Sequence, residues 1–496
     1  MNAVMEQKMT YQVPHLINGK PIKSTGRQLD IYNPATGQLA GFSNAADQAL
    51  VDQAVKAAKD AQVSWAAKTP TQRAKMIFKF KNLLDANMNE LAKLISQEHG
   101  KTIAEAKGSI QRGIDVVDFT CNIPYHLRGS YTDEVASGVD SFSLHQPLGV
   151  CVGITPFNFP GMIPLWMFPI AIACGNTFVL KPSEKDPSCP LRMVELLHEA
   201  GVPEGVVNVV QGDKEAVDAL ITHPDVRAVS FVGSSAIAEY VQTTAIKHHK
   251  RAQAFGGAKN HCIVMPDADM DQAASAIVES AYGSAGERCM AISVVVAVGD
   301  QVADELIKRM KPMIENLKIG PGHLDAIDMG PLVTKPHWER VQSYVALGKQ
   351  EGASLIIDKS QHKPAGHEDG YFMGGCLFDN VTPNMRIYRE EIFGPVLSIV
   401  RAKDFESALK LVNEHEYGNG ASIYTRDGYI ARQFSERAQA GMIGVNIPVP
   451  VPVAFHSFGG WKNSILSDTQ MYGAEAIRFF TRLKTVTQRW YSGKGE

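Results

Sequence analysis

The chain has 496 residues, 45% of them hydrophobic and 20% charged, with a formal net charge of −3. That length predicts two or three domains, and the near-neutral balance with no basic run gives nucleic acid no electrostatic footing. Seven cysteines, at positions 121, 151, 174, 189, 262, 289 and 376, make neither a CxxC pair nor a metal-ligand spacing with histidine. Reduced thiols in a cytoplasmic protein are therefore expected, with no metal site.

The N-terminal MNAVMEQKMTYQVPHL lacks the apolar core of a signal peptide. From Ala45 to about Cys121 apolar residues recur at three- and four-residue steps, which predicts helices, with Pro70 opening one of them. Between Asp140 and Lys181 there is no Asp, Glu, Lys or Arg. Pro147, Pro156, Pro160, Pro164 and Pro169 interrupt this stretch, so a buried strand, a loop and a core helix are expected rather than a membrane span. The β-branched runs LGVCVGITP, NTFVLKPSE, VVNVVQG and AVSFVGS alternate with helical segments such as LRMVELLHEAG and KEAVDALITH. This rhythm predicts parallel βαβ units.

The alternation starts again at HCIVMPDA and runs through VVVAVG, PVLSIV and GASIYT, which predicts a second α/β domain. SFSLHQPLGV and FFTRLKTVTQRW alternate like strands far from either core, and read as an arm for pairing with another subunit. NIPVPVPVAF reads as a packed loop.

Two strand ends invite a phosphate or a ribose. FVGSSAIAEYV leaves a strand and opens a helix, with Gly233 in the turn and free N–H groups at the helix start. It is not GxGxxG, Ala238 stands where a close-packing glycine is hoped for, and an ordinary βα turn fits it equally well. FVLKPSE places Lys181 and Glu184 just past a second strand.

Among the cysteines, Cys121, Cys151, Cys174 and Cys262 sit in apolar periodic runs and read as core residues, while Cys189 and Cys376 lie in turn-rich stretches. Cys289 follows GSAGER, a run of small residues that lets a ligand approach, and Arg288 beside it is expected to favour the thiolate. A surface loop with an incidental cysteine remains open on these residues alone.

GSAGERCMA, TPFNFP, FVGSS, LKPSE and EEIFGP, at these spacings, resemble the aldehyde dehydrogenase superfamily over nearly the whole chain. The resemblance implies an α/β subunit with a doubly wound NAD-binding domain (1–127 and 148–255), an α/β catalytic domain (256–470) and a β-strand oligomerisation arm (128–147 and 471–496). It implies Cys289 as the nucleophile and Asn158 as the oxyanion donor. For NAD it implies Lys181 and Glu184 at the adenosine ribose, Ser234 at the pyrophosphate, Glu391 at the nicotinamide ribose, and Phe157 and Phe393 along the cofactor path. Glu184 hydrogen-bonds a 2′-hydroxyl and repels a 2′-phosphate, which favours NAD over NADP.

Hydrolytic members carry a glutamate before a Gly-Gly-Lys run. Here AQAFGGAKNH places Phe255, or with the other alignment Ala254, at that position. Neither side chain can take a proton from water, so a thiol such as coenzyme A is the expected acyl acceptor. GERCMA, GAKNH, QRGIDVVDF and PVPVPVAFHSFGGWK together resemble the CoA-acylating, methylmalonate-semialdehyde branch. That resemblance implies Arg112 and Arg288 as the substrate's carboxylate ligands, a role for which the guanidinium fork is suited. The implied reaction turns methylmalonate or malonate semialdehyde into propanoyl-CoA or acetyl-CoA with loss of carbon dioxide, in a homo-oligomer, dimer or tetramer, that binds neither nucleic acid nor membrane. A hydrolytic NAD(P)-dependent enzyme and an inactive NAD-binding protein of the same fold stay open as alternatives.

Overall fold

The computed structural model describes residues 10–491; the ends of two expected domain ranges, residues 1–9 and 492–496, lie outside them. The helical stretch resolves into Gln48–Ala66, Pro70–Ala86, Met88–His99 and Ile103–Cys121. Their starts are written locally: Asp47 accepts from Leu50 N–H, and Thr69 with Gln72 closes a capping box around Pro70.

One seven-stranded sheet runs Arg251–Phe255, Val226–Val232, Val150–Ile154, Thr177–Lys181, Val207–Val209, His15–Ile17, Lys20–Ile22. The first five are parallel, and the last two pair antiparallel. Val150–Ile154 and Thr177–Lys181 are buried along their whole length, as strands covered on both faces must be. From Val150–Ile154 the chain builds outward to one side, then returns to the other side with Val226–Val232. The order therefore reverses between these two strands, and a crevice opens beyond Ile154 and Val232.

A second seven-stranded sheet runs Ser354–Ile357, Cys376–Asp379, Val396–Ala402, Ile292–Val298, Asn260–Val264, Gly420–Tyr424, Met442–Val445, parallel except at its first edge. The charge-free stretch contains the 12-residue helix Met162–Ala173, buried throughout. It packs on Ile103–Cys121, where a Cβ on Gly113 would lie 2.8 Å from Leu165 Cδ1, so glycine permits the close approach beside Arg112. Among the described residues no helix is long and apolar enough to cross a membrane.

Several local expectations change. The strand expected at FFTRLKTVTQRW begins only at Thr481, because Phe479 and Phe480 end the helix Ala474–Phe480 with their rings in the core. It pairs antiparallel with Val139–Pro147, and a third strand, Tyr131–Ala136, joins the ribbon. Tyr131, Leu144, Leu483 and Trp490 on it are exposed. Cys189 lies in the helix Ser188–Glu199 and Cys376 opens a strand, both buried, because turn-forming neighbours flank the elements rather than replace them. Cys121 is half-buried, and all seven cysteines are unpaired. The proline-rich loop is packed only in part: Ile447, Val453 and Phe455 are exposed.

Candidate active site

Cys289 lies between the helix Met270–Tyr282 and the strand Ile292–Val298. The intervening turn, Gly283–Gly286, holds Ser284 and Ala285 at φ 53° and 52°, a left-handed conformation that costs energy for residues other than glycine. Asn260 and Asn419 both donate to the Cys289 carbonyl, at 2.9 and 3.0 Å, and fix the backbone there.

Two cavities meet at this cysteine. One, of about 480 Å³, is lined by Arg112, Arg288 and Cys289 together with Met162, Trp166 and Phe458. Arg288 and Cys289 do not point apart as neighbours in an extended strand would, because they follow a tight turn. The other crevice is also lined by Arg288 and Cys289, together with Ala258, Glu391 and Phe393.

Asn158, in the loop after Ile154, is buried, and its Nδ2 donates to the Glu287 carbonyl at 3.2 Å. An amide nitrogen carries two hydrogens, so a second donor remains for an oxyanion. Lys101 Nζ donates to the Asn158 carbonyl at 2.6 Å from a buried position, where desolvation lowers its pKa to about 8.

The Cys289 thiol corrects an expectation. Burial pushes it up to about 12, and Glu391 pushes the same way. The backbone N–H groups of Cys289 and Met290 oppose this, and the opposing side-chain charge is Arg112 rather than Arg288. Arg288 is already engaged: its Nη2 lies 3.2 Å from Glu105 Oε1. These effects together favour the neutral form of the Cys289 thiol.

The crevice at the sheet's reversal collects the remaining expected residues. Ser234 is exposed at the start of the helix Ser235–Lys247 and makes no capping bond, so its hydroxyl and the helix N-terminus are free for an anion. Ser235, by contrast, is committed to Gly257 N–H and Tyr417. Ala238 is fully buried and its methyl packs in the core.

Lys181 ends its strand 3.2 Å from Glu184. Burial acts to raise the Glu184 pKa, yet Lys181 and a backbone hydrogen bond outweigh it and hold the carboxyl below its ordinary value. Phe157 lies between Phe393, edge-on at 5.9 Å, and the Lys185 ammonium, 4.4 Å above its ring. Glu391 accepts from Ala258 N–H at 2.9 Å, and burial raises its pKa. A Cβ on Gly257 would sit 2.8 Å from Glu391 Oε2, so the carboxylate and the glycine backbone share a space too narrow for a side chain. A dinucleotide fits these groups: an anion-ready helix start, a carboxylate beside a lysine at one end, and a fixed carboxylate at the other.

The sequence profile of the aldehyde dehydrogenase family matches residues 22–486. The chain belongs to that family. It is 54% identical over 476 residues to a malonate-semialdehyde dehydrogenase of Pseudomonas aeruginosa, covering 96% of each chain. A crystal structure from Sinorhizobium meliloti, described as a methylmalonate-semialdehyde dehydrogenase complexed with NAD, superposes with a TM-score of 0.97 at 55% identity, covering 98% of this chain and 100% of that one. The methylmalonate-semialdehyde dehydrogenase of Oceanimonas doudoroffii gives 0.97 at 52% identity, covering 98% and 99%. The α/β architecture expected from the aldehyde dehydrogenase resemblance is that of these structures.

Phe255, where hydrolytic family members are expected to carry their base, is a buried core residue at the end of its strand. Ala254 beside it is also buried, so neither alignment brings a carboxylate to this point.

Sequence reasoning passed over Lys101, Glu105, Asn260 and Asn419. Glu105 had a readable signal, since Thr102-x-x-Glu105 is a capping box. Asn260 and Asn419 act through backbone bonds across the fold, for which no local pattern exists.

Proposed function

We propose that this protein is a NAD-dependent, CoA-acylating semialdehyde dehydrogenase that converts malonate and methylmalonate semialdehyde into acetyl-CoA and propanoyl-CoA with decarboxylation. The observation that carries the reading is the shared cavity of Cys289, Arg112 and Arg288: a nucleophile together with two guanidinium groups suits an aldehyde bearing a carboxylate. The relatives named above support it.

Cys289 Sγ adds to the aldehyde carbon to form a thiohemiacetal, whose oxyanion accepts from Asn158 Nδ2 and the Cys289 backbone N–H. Oxidation at that carbon leaves a thioester on Cys289. NAD, when bound by Lys181, Glu184, Ser234 and Glu391 with Phe157 and Phe393 along its path, supplies the electron acceptor. Arg112 and Arg288 hold the substrate's carboxylate, which then lies β to a thioester carbonyl. Carbon dioxide can leave because that carbonyl takes the electron pair. With no carboxylate at Phe255 or Ala254 to activate water, the CoA thiol displaces Cys289.

The sheet containing Val150–Ile154, within 1–127 and 148–255, serves the cofactor in this reading, and 256–470 supplies the nucleophile. The exposed ribbon of 128–147 and 471–496 pairs subunits in a homo-oligomer, and valine or inositol breakdown in the cytoplasm supplies the semialdehyde. The test is product balance: acetyl-CoA and carbon dioxide should form from malonate semialdehyde in equal amounts with NADH, and free malonate as the product would refute the reading.

A further inference from the structure

The cavity that holds Cys289 also contains a carboxylate with no part in the chemistry above. Glu105 lines it beside Arg112 and Arg288. A carboxylate in a pocket for an anion repels the ligand, so its presence needs a reason.

The reason lies in its contacts. Oε2 accepts from the backbone N–H and the hydroxyl of Thr102, both at 3.2 Å, as the capping box of the helix Ile103–Cys121. Oε1 accepts from Ser284 N–H at 2.5 Å and from Arg288 Nη2 at 3.2 Å. With both oxygens engaged, the carboxylate cannot swing toward or away from a ligand. Gly283 supplies the other wall. A Cβ there would lie 2.6 Å from Arg288 Cζ and 2.8 Å from Nη1, so the guanidinium lies flat against the glycine. The Gly283 backbone, at φ −53° and ψ 139°, suits any L-residue, and the three atoms nearest to an added Cβ all belong to the guanidinium, so an alanine here would displace it. Arg288 Nη1 and Nε make no hydrogen bond among the described residues, which leaves a pinned fork with free donors on the cavity.

We infer that Glu105 and Gly283 form a clamp that aims Arg288 and so sets the preference for aldehydes carrying a second, anionic end. A free arginine must give up rotamer freedom when it grips a carboxylate, and a clamped one has already done so. Glu105 is thus a positioning residue. The inference rests on Arg288 being a carboxylate ligand.

The test compares kcat/KM for malonate semialdehyde with kcat/KM for propanal, at saturating NAD and CoA, in the parent and in Arg288→Ala, Glu105→Ala and Gly283→Ala. The clamp predicts that Glu105→Ala and Gly283→Ala each lower the ratio by about tenfold or more, chiefly through the KM for the semialdehyde. Damage to folding, or to the turn before Cys289, lowers both substrates together and leaves the ratio intact. Should Glu105→Ala fail to fold, Gly283→Ala decides. If Arg288→Ala lowers the ratio while both clamp variants keep it within about twofold of the parent, the clamp is overturned and the carboxylate reading stands. If Arg288→Ala itself keeps the ratio, the carboxylate reading falls and the clamp with it.

Discussion

The cavity at Cys289 and the crevice at the reversal of the first sheet are built in different ways. The crevice proposed for the cofactor takes groups from the ends of parallel strands: Lys181 at the close of its strand and Ser234 after Val232. The substrate cavity is assembled from a helix face bearing Arg112, the turn before Cys289, the buried helix Met162–Ala173 and the loop around Val449 and Val451. Two polar groups in the crevice are anchored, Glu391 by Ala258 N–H and Lys181 by Glu184, while the Ser234 hydroxyl is free. In the cavity Arg112 has no protein partner among the described residues, and Arg288 keeps a free edge. A site that must hold one invariant cofactor can be fixed by topology, whereas a site that selects a substrate leaves charge uncompensated for the substrate to satisfy.

Variants on the two sides should therefore separate. The largest effect belongs to the shared point: Cys289→Ala should lower NADH formation by at least about a thousandfold with every aldehyde, and activity near the parent's would contradict the nucleophile assignment. In the proposed reaction Asn158→Ala removes an oxyanion donor and should lower kcat about a hundredfold with KM nearly unchanged; a loss confined to KM would mean that it only binds substrate. Arg112→Ala should weaken malonate semialdehyde by about thirtyfold relative to propanal and leave the KM for NAD alone, so an equal loss on both aldehydes would erase the division between the sides. Because burial holds the Cys289 thiol near 12, its thiolate fraction grows with pH well beyond the ordinary thiol range. Alkylation of Cys289 by iodoacetamide without NAD, followed by mass spectrometry, should speed up about tenfold per pH unit from about pH 7 to about pH 10; a plateau near pH 9 would show an unperturbed thiol. The smallest effect is Ser234→Ala, expected to raise the KM for NAD about threefold while sparing the substrate ratio, since the helix N-terminus still binds the anion.

The same contrast explains what could be read in advance. Strand ends announce themselves, because a β-branched run followed by Gly-Ser or Lys-Pro-Ser-Glu marks both the strand and the place where its end faces a ligand. Both large sheets were legible for that reason and Pro70 marked a helix start, whereas the break at Asn87 between Pro70–Ala86 and Met88–His99 was not marked by any proline or glycine. The small sheet of Tyr11–Val13, Gln38–Asn44 and Gln28–Asn33 is missing from that reading, although Leu29 and Ile31 alternate with exposed Gln28 and Asp30. Arg112 reads as a surface charge because its helix position is exposed, and the cavity it lines is completed by Trp166, Arg288, Val449 and Val451 from distant parts of the chain. The upward shift of the Cys289 thiol is not readable from its neighbour Arg288. Adjacency in sequence says nothing of Glu105, which lies far away in the chain and holds that guanidinium.

The central claim is that the Cys289 thioester, with Phe255 and Ala254 where a base would be needed, awaits a thiol and not water. The most direct test is NADH formation from malonate semialdehyde and NAD over several turnovers, with and without CoA. Sustained turnover is expected only with CoA, and without it a burst of about one NADH per active site followed by a stall. Equal sustained turnover without CoA would contradict the claim, because water would then have found another base.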